Sequence, residues 1–149
     1  MTQGYLLDTS VLLNLLRGKE LGQRIDRSFG LSAAAYIHSI SIVSHAELWV
    51  LVDRNKWGDD KKTAVGKALK EFVTVDVSGD HIIASYRQVE AASAGRSMGK
   101  NDIWIAATAI ITGLPLITTD RDFNHLHGKL LDVRYIDPSL PQVSEPSAE

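Results

Sequence analysis

Strand-like and helix-like stretches alternate along this chain from Tyr5 to Ile136, and nothing else in the sequence narrows the possible folds so far. Apolar or alternating runs at 5–7, 37–43, 72–77, 115–119 and 130–136 read as five strands. Between them, apolar residues recur at helical spacing: Val11 to Leu16; Leu21, Ile25 and Phe29; Leu48, Leu51 and Val52; Val65 and Leu69; Ile82, Ile83, Tyr86, Val89 and Ala92. Parallel strands require long crossovers, and a helix is the usual one. The alternation therefore predicts an α/β domain with a mostly parallel five-stranded sheet and helices on both faces. At 149 residues the chain suits one domain, expected over residues 1–137, with a proline-containing polar tail over 138–149.

The boundaries carry local signals. The first strand stops at Asp8, and a helix starts at Thr9 or Ser10, whose hydroxyls suit the first-turn N–H groups. Ser44 and Glu47, three residues apart, read as a capping box for the helix ending near Asn55. Asp59 or Asp60 starts another helix, and Asp80 caps one running to about Ala94. The segment 103–112 is apolar on nearly every face, which predicts a buried helix opened by Asn101-Asp102 and ended by Gly113.

Four acids share one kind of place. Asp8 and Asp120 end strands, while Glu47 and Asp102 stand near helix starts. In a parallel sheet with right-handed crossovers these positions lie at one edge. Each acid also has a purely local explanation: capping for Asp8 and Glu47, the helix dipole for Asp102, a turn for Asp120 and Asp122. One common cause for all four is a hard divalent cation, since gathered carboxylates otherwise raise one another's pKa. Oxygen-only ligands in a chain without cysteine point to Mg²⁺ or Mn²⁺. Metal-assisted phosphodiester hydrolysis is the matching chemistry.

Arg96, Lys100 and Arg121 flank the acids and are candidates to hold backbone phosphates, although solvated surface charge is the simpler explanation for any one of them. His125 and His127 lie just after the last acids, with no third partner to suggest a zinc site. Ser10 has no accompanying His and Asp to make it a nucleophile. A net charge of −2 is not that of an electrostatic nucleic-acid binder, yet clustered carboxylates would offset the basic residues of a nuclease. The absence of cysteine and of a basic-then-apolar leader suits a cytoplasmic protein, and the longest apolar segment, 103–117, is too short and too interrupted to span a membrane.

Four pieces of the sequence, Leu6-Leu7-Asp8-Thr9-Ser10-Val11-Leu12, Ser44-His45-Ala46-Glu47-Leu48, Asn101-Asp102-Ile103-Trp104-Ile105-Ala106-Ala107-Thr108-Ala109 and Leu116-Ile117-Thr118-Thr119-Asp120-Arg121-Asp122-Phe123, resemble PIN-domain proteins in identity and order. The closest likeness is to the toxin subunits of VapBC-type toxin–antitoxin pairs. The resemblance implies metal ligation by Asp8, Glu47, Asp102 and Asp120, a supporting polar role for Thr9 or Ser10, and an accessory one for Asp122. It further implies an endoribonuclease acting on tRNA or rRNA loops, inhibited by a small antitoxin, as a homodimer within a toxin–antitoxin hetero-oligomer. DNA would be met only through the antitoxin. Two other readings compete. Phosphohydrolases of the haloacid-dehalogenase type also open with strand–Asp, but they need a second Asp where this chain has Ser10. A PIN-like scaffold that binds RNA or a partner without cutting would have no need of all four acids.

Overall fold

The computed structural model describes residues 4–33 and 35–139; the last ten residues of the expected tail lie outside that range. The first strand, β1 (Leu6–Leu7), leads into α1 (Thr9–Arg17) and α2 (Glu20–Phe29). After β2 (Ser39–Ser41) come α3 (Ile42–Arg54) and α4 (Asp59–Leu69), and after β3 (Val73–Val75) come α5 (Asp80–Ala92) and α6 (Lys100–Thr112). The described chain closes with β4 (Leu116–Thr118), a 3₁₀ turn (Arg121–Leu126) and β5 (Val133–Tyr135). The five strands form one sheet in the order β3-β2-β1-β4-β5, and every pairing is parallel.

Pleating explains the two cores. Successive strand residues point to opposite faces. Leu7, Ile40 and Ile117 join one buried cluster with Val11, Leu12, Ile25, Leu48, Val52, Val65 and Leu69, from α1 to α4. Leu6, Leu116 and Val133 join another with Val89, Ile103, Ile105, Ala106, Ala109, Phe123 and Leu126. Burying one such Leu or Ile fully is worth roughly 1.5–3 kcal/mol. The helices thus cover both faces, as the sequence pattern implies. Helix α6 is indeed buried over most of its length, and it ends at Gly113 with φ 69°, a left-handed cap. Gly22 fills a different need: a Cβ there would lie 2.2 Å from the Asn14 carbonyl oxygen, so only glycine lets α2 lie this close to α1.

Several boundaries fall elsewhere than the sequence suggests. Helix α1 is capped by Asp8 itself, which accepts from the Thr9 N–H at 2.8 Å, and not by the Thr9 or Ser10 hydroxyl. Helix α3 begins three residues early, with Ser41 as its cap, so the Ser44–Glu47 capping box does not form. Ser44 is buried inside the first turn, and Glu47 stands one turn further in, free to face other groups. The cap of α5 is Gly79, with Asp80 in the first turn. On α5, Ile83 and Ala92 point to solvent, and Ser85 takes an inward place.

Candidate metal centre

The sheet order decides where a site can form. From β1 the chain moves outward to β2 and β3, and from β4 it moves to β5 on the other side. The neighbouring carboxyl ends of β1 and β4 therefore lie at the switch point, where the departing chains leave a crevice. Asp8 follows β1, and Thr119 and Asp120 follow β4.

Asp8 is buried, with 4% of its surface exposed. Beyond the Thr9 N–H, it accepts from the Thr118 hydroxyl at 2.8 Å and the Ser10 hydroxyl at 3.2 Å. Burial pushes its carboxyl above the usual range, and these bonds pull it partly back. Thr118 Oγ1 also accepts from the Asp120 N–H at 2.9 Å, so one hydroxyl ties the two strand-end acids together. Thr119 extends the link by donating to Ser10 Oγ at 2.9 Å. Asp120 caps the 3₁₀ turn by accepting from the Asp122 N–H at 2.9 Å. Neither Thr118 nor Thr119 stands out as a site residue in the sequence; their place at the end of a buried strand between two acids is the signal that could have found them.

One carboxylate oxygen each from Asp102, Asp120 and Asp122 lie within 4.8 Å of one another. That spacing and the all-oxygen donor set fit a divalent cation such as Mg²⁺ or Mn²⁺. Asp102 registers the crowding. Its carboxyl is pushed up to about 7, first by burial, then by the like charges of Asp8, Asp120, Glu47 and Asp122. All five acids therefore act on one neighbourhood, although only three of them supply the compact group. Asp122, expected in an accessory role, stands inside that group.

Glu47 is held by Thr9. The Thr9 oxygen lies 2.8 Å from Glu47 Oε1 and 2.9 Å from Ser44 Oγ. A hydroxyl has one proton and a carboxylate only accepts, so Thr9 donates to Glu47 while Ser44 faces its lone pair. Thr9 and Ser10 thus both support acids, each a different one.

The basic candidates divide. Arg96 is exposed on the stretch leading into α6, and Lys100 is exposed as the first residue of that helix. Arg121 turns away to β5, 3.1 Å from the Tyr135 hydroxyl and 3.5 Å from Asp137, with its guanidinium over the Tyr135 ring. Its side chain stays 73% exposed, so these surface contacts leave it open to solvent. His127 accepts from the Val133 N–H at 2.9 Å, and His125 packs against Ser93; neither joins the acid group. Burial, then Arg96 and Lys129, holds the His125 imidazole below its ordinary pKa. Trp104, beside the site on α6, packs on Tyr86 with ring centroids 4.4 Å apart.

The PIN domain family profile matches residues 5–129. Ribonuclease VapC5 of Mycobacterium tuberculosis is 32% identical over 126 residues, 83% of this chain and 87% of that protein. Two solved structures superpose on nearly the whole chain. A chain of VapBC-5 from Mycobacterium tuberculosis, a toxin–antitoxin system, is 26% identical with a TM-score of 0.62, covering 90% of this chain and 99% of that one. A chain of VapBC2 from Rickettsia felis, solved bound to a DNA fragment from its promoter, has a TM-score of 0.72 over 88% of this chain and 97% of that one. At 22% identity the second likeness speaks for the fold alone.

Proposed function

Because the chain belongs to the PIN-domain family, we propose that it is a divalent-metal-dependent endoribonuclease and the toxin subunit of a toxin–antitoxin pair. The observation that carries this reading is the group of Asp102, Asp120 and Asp122 beside buried Asp8, with Asp102 pushed up to about 7 by burial and by the neighbouring carboxylates. The ligands of the cation are drawn from Asp8, Glu47, Asp102 and Asp120, with Asp122 alongside. When bound, Mg²⁺ or Mn²⁺ supplies an activated water and offsets the charge that develops as a phosphodiester is cut.

The chain's own groups set the rest. Thr118 and Ser10 fix the Asp8 carboxylate, Thr9 fixes Glu47, and the 3₁₀ turn fixes Asp122 against Asp120. Arg96, Lys100 and Arg121 are exposed and are the candidates to meet the RNA backbone. Single-stranded loops of tRNA or rRNA are the substrate class that the family resemblance implies, and specific RNA recognition mostly targets such unstacked loops. Cleavage of an RNA panel should require Mg²⁺ or Mn²⁺ and stop in chelator. Metal-independent cutting would overturn the metal assignment; Mg²⁺-dependent release of phosphate from small phosphate esters with no RNA cutting would favour the haloacid-dehalogenase reading, and RNA binding with no cutting at any metal concentration would favour the scaffold reading.

Assembly belongs to the same reading. A small antitoxin would cover the site, and DNA would be bound only through it. Ile42 and Val50 on α3, Ile83 on α5 and Ile111 on α6 leave apolar side chains exposed, which supports a homodimer and a toxin–antitoxin hetero-oligomer. Light scattering at about 50 µM, above the Kd expected of a standard-sized interface, should give twice the chain mass; a monomer unchanged by antitoxin would count against it. No membrane is involved in this reading, and no helix among the described residues is long and apolar enough to cross one.

A further inference from the structure

Asp122 is the most exposed member of the acid group, and it sits on a 3₁₀ turn, a form with poorer hydrogen-bond geometry than an α-helix. In that geometry residues three apart lie on one face, so His125 stands directly under Asp122. His125 Nε2 lies 2.7 Å from the Ser93 hydroxyl. Its other nitrogen, Nδ1, is buried and makes no hydrogen bond of good geometry, although the Asp122 backbone favours a proton on the ring. The Asp122 carboxylate acts on the ring in the same sense.

Ser93 is an uncommon anchor. It is only 5% exposed, although it closes the end of α5, and its backbone receives the Arg96 N–H at 2.9 Å. Its hydroxyl also lies 3.5 Å from Met98 Sδ, on the short stretch that enters α6 and so leads to Asp102. One buried oxygen therefore touches both segments that deliver the outer acids: the turn with Asp122 and the approach to Asp102. With one proton to give, the hydroxyl donates to the better acceptor, the imidazole nitrogen.

We propose that Ser93 and His125 are positioning residues that hold the 3₁₀ turn so that Asp122 meets Asp102 and Asp120. The pair touches neither substrate nor metal. It works through the azimuth of the turn, which a side-chain bond on the face shared by Asp122 and His125 can set. The inference rests on the metal-centre reading for its solution test, but the placement of Asp122 can be read without any metal.

The test combines Mn²⁺ titration with a double-mutant cycle. Ser93→Ala and His125→Ala should each weaken Mn²⁺ binding by about 10-fold, the usual scale for a lost supporting contact. His125→Gln, whose amide reaches the place of Nε2, should recover most of that loss. In an Asp122→Asn background, Ser93→Ala should cost nothing further, because the carboxylate it positions is gone. Additive losses for Ser93→Ala and Asp122→Asn would overturn the proposal, as would a His125→Gln protein no better than His125→Ala. A wild type that binds no Mn²⁺ would refute the metal centre instead. The crystal structure of metal-free Ser93→Ala would then decide: an Asp122 carboxylate displaced from the group supports the pair, and one left in place overturns it.

Discussion

Asp8→Asn is expected to abolish RNA cleavage and growth inhibition, to leave the fold intact, and to raise the melting temperature in metal-free buffer. The three outcomes share one cause. Asp8 is a buried carboxylate whose charge is disfavoured by its surroundings and is tolerated through bonds from Thr9, Ser10 and Thr118. Asn keeps the acceptor that caps α1, and Asn caps about as well as Asp. Its amide group faces two hydroxyls, each able to turn and accept. The fold therefore loses little, and the crowded edge loses one negative charge, which stabilises the metal-free protein. Function loses that same charge, and with it part of the hold on the cation. Losing such stabilisation typically costs several kcal/mol in the transition state, a rate loss of about 10³-fold or more. The comparison needs an RNA that the wild type cuts. A variant that melts normally and still cuts that RNA at the wild-type rate would sink the assignment of Asp8 to the site.

The fold was legible because its signals are repeated and mutually consistent. Leu6-Leu7 and Leu116-Ile117 are apolar on both faces, as strands in the middle of a parallel sheet must be, and the buried helix α6 has almost no polar face to misplace. Local capping was harder to read, for a physical reason. Ser41 and Ser44 are three residues apart, and either could start the helix by its own chemistry; tertiary packing chose Ser41 and buried Ser44 against Thr9. The same choice released Glu47 from the cap and turned it toward Asp102. That the acids would share one edge followed from topology, since parallel strands bring their ends together whatever lies between. Which oxygens group most tightly did not follow. Asp122 enters the compact group from a 3₁₀ turn whose His125 meets Ser93, far away in sequence. Arg121 shows a contact that no local pattern announces. Its neighbours in sequence are acids, but its partners are Tyr135 and Asp137.

Without metal, the protein should become less stable as pH rises from about 4 to about 7 wherever Asp102 governs, and Mn²⁺ should restore that stability most strongly at the alkaline end. Asp102 has an ordinary value of 3.8 and a folded value of about 7. Between those two values the native state holds a proton that the unfolded chain has already released, so stability falls with rising pH. The contribution is fully present below the unfolded value and is gone above the folded one. Three units at 1.36 kcal/mol each give roughly 4 kcal/mol, and because Asp102 keeps some solvent contact roughly 2–3 kcal/mol is the better expectation. Asp8, also raised, acts in the same direction. The lowered carboxyls of Asp26, Asp132 and Asp137 lose their contribution only as pH falls through their folded values, and lowered His125 opposes the trend in mildly acidic solution. Subtracting the Asp102→Asn profile from that of the wild type isolates the one group. A cation must displace the Asp102 proton to bind, so metal-induced stabilisation should be small near pH 5.5 and several-fold larger near pH 8. Thermal melts across that range, in chelator and in Mn²⁺, give both curves. A wild-type minus Asp102→Asn difference that stays flat from pH 4 to 8 in chelator would mean that Asp102 does not carry the crowding at this edge.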